Sequence, residues 1–355
     1  MEKRYIQTFL QSKYLFAYFL LLSLLIGAML IGISIGTVKV AVVDILKIVY
    51  AHISQRPLSN EVNPMYENIV MNIRMPRVIL SGLIGASLAI AGAAFQGLLR
   101  NPLADPYTLG VSSGASVGAV MTIFFSLSIP FLGIFTLPVV SIVASFITIF
   151  VVLFFAKRID QSMRVETIIL TGVIFSSFLG AFISLMIALT GEELRQIIGW
   201  LLGSVSMRGW DYVWIILPFF IIGSVLLFIH ATELNAMSFG EEQAKHLGVH
   251  VERKKMIILI AGSILTGAAV AVSGTIGFVG LVIPHFIRII WGQDHRHLLP
   301  LSMLAGAAFL IMADLVSRII IAPSELPIGV ITALIGAPIF AFILMKQRLK
   351  RKEII

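Results

Sequence analysis

Four groups of residues have types and spacing that could do chemistry. Gly110, Ser112, Gly114, Ser116 and Gly118 spell the pattern G-x-S-x-G twice in succession. A hydrolase nucleophile in that pattern needs a strand-turn-helix setting with His and acid partners, whereas these serines fall in an apolar helical run without a triad. The glycines, four apart, make a face that lets two membrane helices approach closely, so helix packing is the expected role of Gly110, Gly114 and Gly118. His246 and His250 share helical spacing, and His295 and His297 are close in sequence. Zinc takes three or four protein ligands; neither pair has a third ligand at suitable spacing, and Gly248 interrupts the first. No metal site is expected, and Asp294 to His297 reads as a solvated loop. Asp314 and Arg318 lie one helical turn apart in an apolar stretch. Intramembrane charges are costly and mark a transport path or a structural pair; a structural pair is the expected role of Asp314, and Arg318, near the end of its stretch, could also face a partner.

The fourth group is the polar run LNAMSFGEEQAKHLGVHVERKK, Leu234 to Lys255. Ser238 and Glu241 have capping-box spacing, which would satisfy two backbone donors at a helix start. Gly248 supplies a left-handed stop, with Lys245 and His246 in the favourable last turn. Glu241 and Lys245 have the i,i+4 spacing that supports a helix. The expectation is a helix of two to three turns, about 13 Å long at ~1.5 Å per residue. Such a short exposed helix needs packing to persist, which makes it a candidate docking element.

The elements that position these groups are membrane spans. The chain has 355 residues, 58% hydrophobic and 12% charged, where a soluble domain carries about 25% charged residues. Apolar stretches near the ~20 residues that cross a bilayer recur at about 14–36, 76–99, 107–127, 134–156, 165–190, 212–230, 255–272, 276–292, 299–320 and 328–346. The fold class is therefore all-α, a polytopic membrane protein of about ten transmembrane helices in one domain, residues 1–355. The first stretch is too long for a signal-peptide core and is expected to remain as structure. With both termini in the cytoplasm, most of the 26 Lys and Arg residues fall on that side, as the positive-inside rule requires. The net charge of +8 is thus topological and does not call for a nucleic-acid partner. Two outward segments exceed simple turns: 37–75, with an amphipathic stretch near Val43 to Ile53, and 191–211, where Trp200 and Trp210 suit an interface belt. Gly85 to Gly92 (GASLAIAG) echoes Gly267 to Gly274 (GAAVAVSG) with opposite membrane direction, the pattern of inverted-repeat transporters. Cysteine is absent, which removes disulfides and thiolate chemistry. No G-x-x-x-x-G-K-[ST] phosphate loop occurs, so ATP-driven work requires another subunit.

Four stretches carry a family resemblance: Arg77 to Gly114, Leu234 to Val249, Gly274 to Arg288 (GTIGFVGLVIPHFIR) and Asp314 to Pro338 (DLVSRIIIAPSELPIGVITALIGAP). Nearly the whole chain, in order, resembles the iron-siderophore, haem and vitamin B12 ABC-importer permeases. The resemblance implies a type II importer permease of a bacterial cell membrane, not itself an enzyme. It also implies pairing with a second permease subunit, the same chain or a paralogue. Two ATP-binding subunits would hold the ATP and Mg, with no cofactor in this chain, and a periplasmic or lipid-anchored substrate-binding protein would dock outside. It makes Ser238, Phe239, Gly240, Glu241, Glu242, Ala244, Leu247 and Gly248 the coupling segment for the ATP-binding subunit. Arg74, Arg77 and Arg318 match positions that meet the binding protein. The loop from Ser162 to Thr167, with Val165 and Glu166, matches the cytoplasmic gate, although Arg164 and Glu166 replace the small hydroxyl residues of the family. The cargo implied is an iron chelate, foremost a ferric siderophore, with haem or cobalamin as alternatives. A secondary transporter is the competing class, on the strength of the repeat and the intramembrane charges.

Overall fold

Apolar stretches become helices here because a helix satisfies every backbone group within its own segment, which a hydrocarbon environment demands. The computed structural model describes residues 2–57 and 62–352. In chain order the helices are α1 (Glu2–Ser34), α2 (Val42–Ile53), α3 (Pro64–Asn68), α4 (Met75–Leu98), α5 (Val111–Phe124), α6 (Thr136–Ile159), α7 (Val165–Leu189), α8 (Leu194–Leu201), α9 (Trp210–Ile229), α10 (Ala231–Ser238), α11 (Glu241–His246), α12 (Val251–Ser273), α13 (Val279–Trp291), α14 (His295–Ile319) and α15 (Ile328–Lys352). Seven helices among the described residues are long and apolar enough to cross a membrane, and α5, α13 and Ile328–Ile343 of α15 are shorter apolar helices. Together they occupy the stretches expected from hydropathy. A π-helical stretch, Ile69–Arg74, joins α3 to α4. Pro76 lies at the start of α4, where its missing N–H is tolerated.

The two repeat segments lie on the central helices. Of the apolar windows, 83% of the one ending in α4 and 78% of that in α12 are buried, against 17% in α7. Small residues make this possible. A Cβ on Gly85 would meet the Gly306 carbonyl oxygen of α14 at 2.2 Å, and one on Gly92 would meet that of Gly280 at the start of α13 at 1.9 Å. A Cβ on Gly267 of α12 would come 2.3 Å from Ser145 Oγ of α6. Thus α4 packs on α13 and α14, from the later half of the chain, and α12 packs on α5 and α6, from the earlier half.

Hydrogen bonds define two ends of this bundle. At one, Asn235 donates to Asp294 and Lys255 donates to the carbonyl of Met163; the run Arg253–Lys255 makes it the basic end. At the other, Arg77 meets Asp314 and Glu325, and Trp210 Nε1 donates to the Met71 carbonyl at 2.8 Å. The amphipathic stretch forms α2, with Ile45 and Ile48 buried.

Three expectations are corrected. Trp200 is only 7% exposed and packs with Ala115, Val120 and Val270 rather than in an interface belt. Asp294 to His297 is not a solvated loop: Asp294 caps α14 by accepting from the Arg296 N–H, and His295 is buried. Gly110 lies before α5, not on its face, as the N-cap at φ +81°. Gly114 and Gly118 do pack against α6, at Thr148 and at Val140 and Ser141 respectively. Ser112 and Ser116 are buried in the same helix.

Candidate functional site

The polar run folds as two short helices with a break between them. In α10, Leu234 and Met237 point into the core. Its last residue, Ser238, donates its hydroxyl to the Asn235 carbonyl at 2.7 Å, so the expected capping box does not form. The N-cap of α11 is instead Gly240, at φ +131° and without a side-chain cap. That backbone conformation is open to glycine and strained for other residues. The helix α11 is six residues long, about 9 Å at ~1.5 Å per residue, shorter than expected. Its end is as expected: Gly248 at φ +83° donates to the Lys245 carbonyl at 2.9 Å, and Val249 to that of Ala244 at 3.0 Å. These two bonds form a Schellman stop.

One side of α11 is anchored and the other is free. Ala244 is fully buried, whereas Phe239 is 77% and Leu247 71% exposed. Glu242, Gln243, Lys245 and His246 are also exposed. Beside it opens a cleft of about 510 Å³, lined by Lys245 and by Gly248 to Arg253. Two large apolar side chains thus stand exposed on a polar turn.

The anchors are ionic. Glu241 does not pair with Lys245; it accepts from Lys255 Nζ at 2.7 Å, and the same ammonium donates to the Met163 carbonyl at 2.7 Å. Lys245 instead approaches Glu252 at 3.8 Å. In α10, Glu233 pairs with Lys254 at 2.7 Å, and Asn235 bridges to the α14 start, donating to Asp294 and accepting from the His295 backbone. Hydrogen bonds from Arg296 and Asn235 offset burial and hold the Asp294 carboxyl well below the usual carboxylate range. Sequence reasoning missed Lys255 and Asn235. Lys255 closes a basic run that reads as topology alone, and only burial sets it apart.

The loop before α7 is tied by Asp160. Its carboxylate accepts from Ser162 Oγ at 2.6 Å, from the Ser162 N–H at 3.1 Å and from Arg164 Nε at 2.7 Å. These bonds, those of Ser162 first, hold that carboxyl well below its usual range. Arg164 is therefore a loop-closing residue, Val165 opens α7 and Glu166 sits in its first turn.

At the opposite end the three arginines do gather, but their side chains are engaged within the fold. Arg74 closes the end of α1, donating to the carbonyls of Ile33 at 2.7 Å, Ser34 at 3.0 Å and Val38. Arg77 bridges Asp314 at 2.9 Å and Glu325 at 2.8 Å, and Arg318 meets Asp314 at 3.2 Å. The pairing of Asp314 with Arg318 agrees with the expectation from spacing. Glu325 was not foreseen; it lies in the α14–α15 connection, outside any regular pattern.

Residues 24–346 match a known protein family. The chain belongs to the FecCD transport family. It is 58% identical over 347 residues to the ABC transporter permease protein YvrB of Bacillus subtilis (strain 168), covering 98% of both chains. It is 42% identical over 294 residues to the cobalamin import system permease protein BtuC of Halobacterium salinarum, covering 83% of this chain and 78% of that one. Among solved structures, a metal-chelate type ABC transporter in an inward-facing conformation aligns with a TM-score of 0.80 at 32% identity, covering 92% of this chain and 98% of the other. The FecCD chain described here is accordingly a multi-pass permease of an ABC transporter, which works with an ATP-binding subunit and a substrate-binding protein.

Proposed function

We propose that this permease forms the membrane path of an importer for a large metal chelate, with a ferric siderophore as the leading cargo. The observation that carries the ATP-driven part is α11: a short helix with a buried anchor at Ala244 and an outward Phe239 and Leu247. We assign its surface, from Ser238 to Gly248 with Glu241 and Glu242, to the cleft of an ATP-binding subunit, which supplies the packing an isolated turn lacks. The basic end then faces the cytoplasm, in line with the positive-inside rule, and the termini lie there. The exposed apolar side of α7, with Leu170, Ile174 and Phe178, suits a second permease subunit across a central path, with two ATP-binding subunits below. The end built on Arg74, Arg77 and Arg318 receives the binding protein through the shape these side chains maintain, since Arg77 and Arg318 are paired with carboxylates and Arg74 is held by backbone carbonyls.

Cobalamin is the second reading for the cargo, favoured by the 42% identity to a cobalamin permease. The test is reconstitution with the ATP-binding and binding proteins, followed by vanadate-sensitive uptake and ATPase stimulation across ferric siderophores, haem and cobalamin. Phe239→Asp and Leu247→Asp are expected to lower recovery of the ATP-binding subunit on co-purification. Full recovery in both variants would overturn the α11 assignment, and uptake driven by an ion gradient without ATP would overturn the importer class.

A further inference from the structure

Lys255 is one of the largest fully buried side chains in the protein, 1% exposed at the start of α12. An ammonium removed from water is stable only where charge and hydrogen bonds replace its hydration. Here the replacements come from two different elements. Glu241, the first residue of α11, supplies the charge, and the Met163 carbonyl, in the loop before α7, supplies the second acceptor, both at 2.7 Å. Neither partner is loosely held. Glu241 sits directly after the Gly240 break, and the loop is closed by Asp160 through Ser162 and Arg164. Met163 is itself buried and held at φ +52°, so its carbonyl cannot follow a displaced ammonium without the loop moving too.

We infer that Lys255 is a positioning residue that links α11 to the loop from 160 to 164, and so to the start of α7. The inference rests on the reading of α11 as the joint to an ATP-binding subunit and of that loop as the inner gate. When α11 shifts, Glu241 draws or releases the ammonium, and the Met163 carbonyl has to be pulled along or left. Two arrangements of one buried contact give the differential interaction that a coupled transition requires. The neighbouring pair Lys254–Glu233 ties α12 to α10 alone and is more exposed, so it provides an internal comparison.

The absence of cysteine allows single spin labels. His250→Cys, exposed just past the end of α11, reports on α11 and Glu166→Cys on the start of α7, each in the complex with its ATP-binding subunit, with and without ATP and vanadate. In the otherwise unaltered chain both labels are expected to respond to ATP. In Lys255→Met the label at 250 should still respond, while the change at 166 falls severalfold. Lys254→Met should keep both responses. Should Lys255→Met fail to assemble, Glu241→Gln, which removes the charge and leaves the Met163 acceptor, is expected to reduce the response at 166 in the same direction. A full response at 166 in Lys255→Met, or in Glu241→Gln where that variant is used, overturns the inference. A label at 250 that ignores the ATP-binding subunit in the otherwise unaltered chain overturns the function reading instead.

Discussion

Replacing Gly92 by alanine adds one methyl group where the backbones of α4 and α13 touch. The new Cβ would lie 1.9 Å from the Gly280 carbonyl oxygen and 2.7 Å from its Cα, where ordinary contact begins at 3.4 Å. The start of α13 must therefore retreat by about 1.5 Å, the difference between 3.4 and 1.9 Å. Backbone cannot rotate out of the way as a side chain can. The retreat also stretches the bond from Gln96 Nε2 to the Leu281 carbonyl, now 3.0 Å. Overpacking costs about 1–3 kcal/mol, and a buried polar group left without its partner costs a further ~1–3 kcal/mol. Alanine returns about 1 kcal/mol in helix propensity. The net expectation is a loss of about 3 kcal/mol. Gly180 of α7 is the control, since a Cβ there meets nothing within 4 Å, and Gly180→Ala should be neutral or slightly stabilising. The assay is the unfolding free energy in detergent micelles for both variants beside the parent. Equal stability for Gly92→Ala and the parent, or equal losses at the two sites, would refute close backbone packing as the organising contact of α4.

Asp314→Asn leaves two buried guanidiniums sharing only Glu325 and backbone carbonyls, so it should cost about 3–5 kcal/mol; the same micelle titration checks it, and a loss below that of Glu325→Gln would contradict the cluster as drawn. Gly97→Ala places a Cβ 2.1 Å from the buried His295 Nε2, and should displace the α14 start, read as faster hydrogen exchange at Arg296 and His297. Asp160 has a folded pKa below its unfolded value, so its contribution to loop order is present above the unfolded value near ~3.9 and is lost as pH falls through the folded one. A spin label at position 166 should show constant loop order from pH 8 to 5 and loosening only below about pH 4; Asp160→Asn should be loose throughout, and loosening of the parent near neutral pH would count against the Asp160 tie.

Much of the fold is legible in the sequence because a bilayer makes composition decisive: apolar length alone located the spans. Spacing also carried the Schellman stop at Gly248, the Asp314–Arg318 pair and the packing of Gly114 and Gly118, which are all short-range relations along one helix. Where a local pattern met a stronger tertiary demand, it yielded. Ser238 and Glu241 have capping spacing, but α10 runs through Ser238, and Glu241 is claimed by Lys255, fourteen positions away. Trp200 has the composition of an interface anchor, yet the bundle had a place for it inside.

What the sequence determined by itself was a family member with many spans, a polar turn stopped at Gly248 and no means of hydrolysing ATP through a phosphate loop. The tertiary structure decided which charges are spent within the fold and which surface is left for a partner. Charge and hydrophobicity are properties of a residue, but exposure belongs to the packed chain. Arg77 and Lys255 look like surface cations in sequence and are buried cross-links in space; Phe239 and Leu247 look like core and stand in the open. That inversion is the physical basis for reading α11 as a joint, and it arises only when distant segments close around Asp314 at one end and around the Met163 carbonyl at the other.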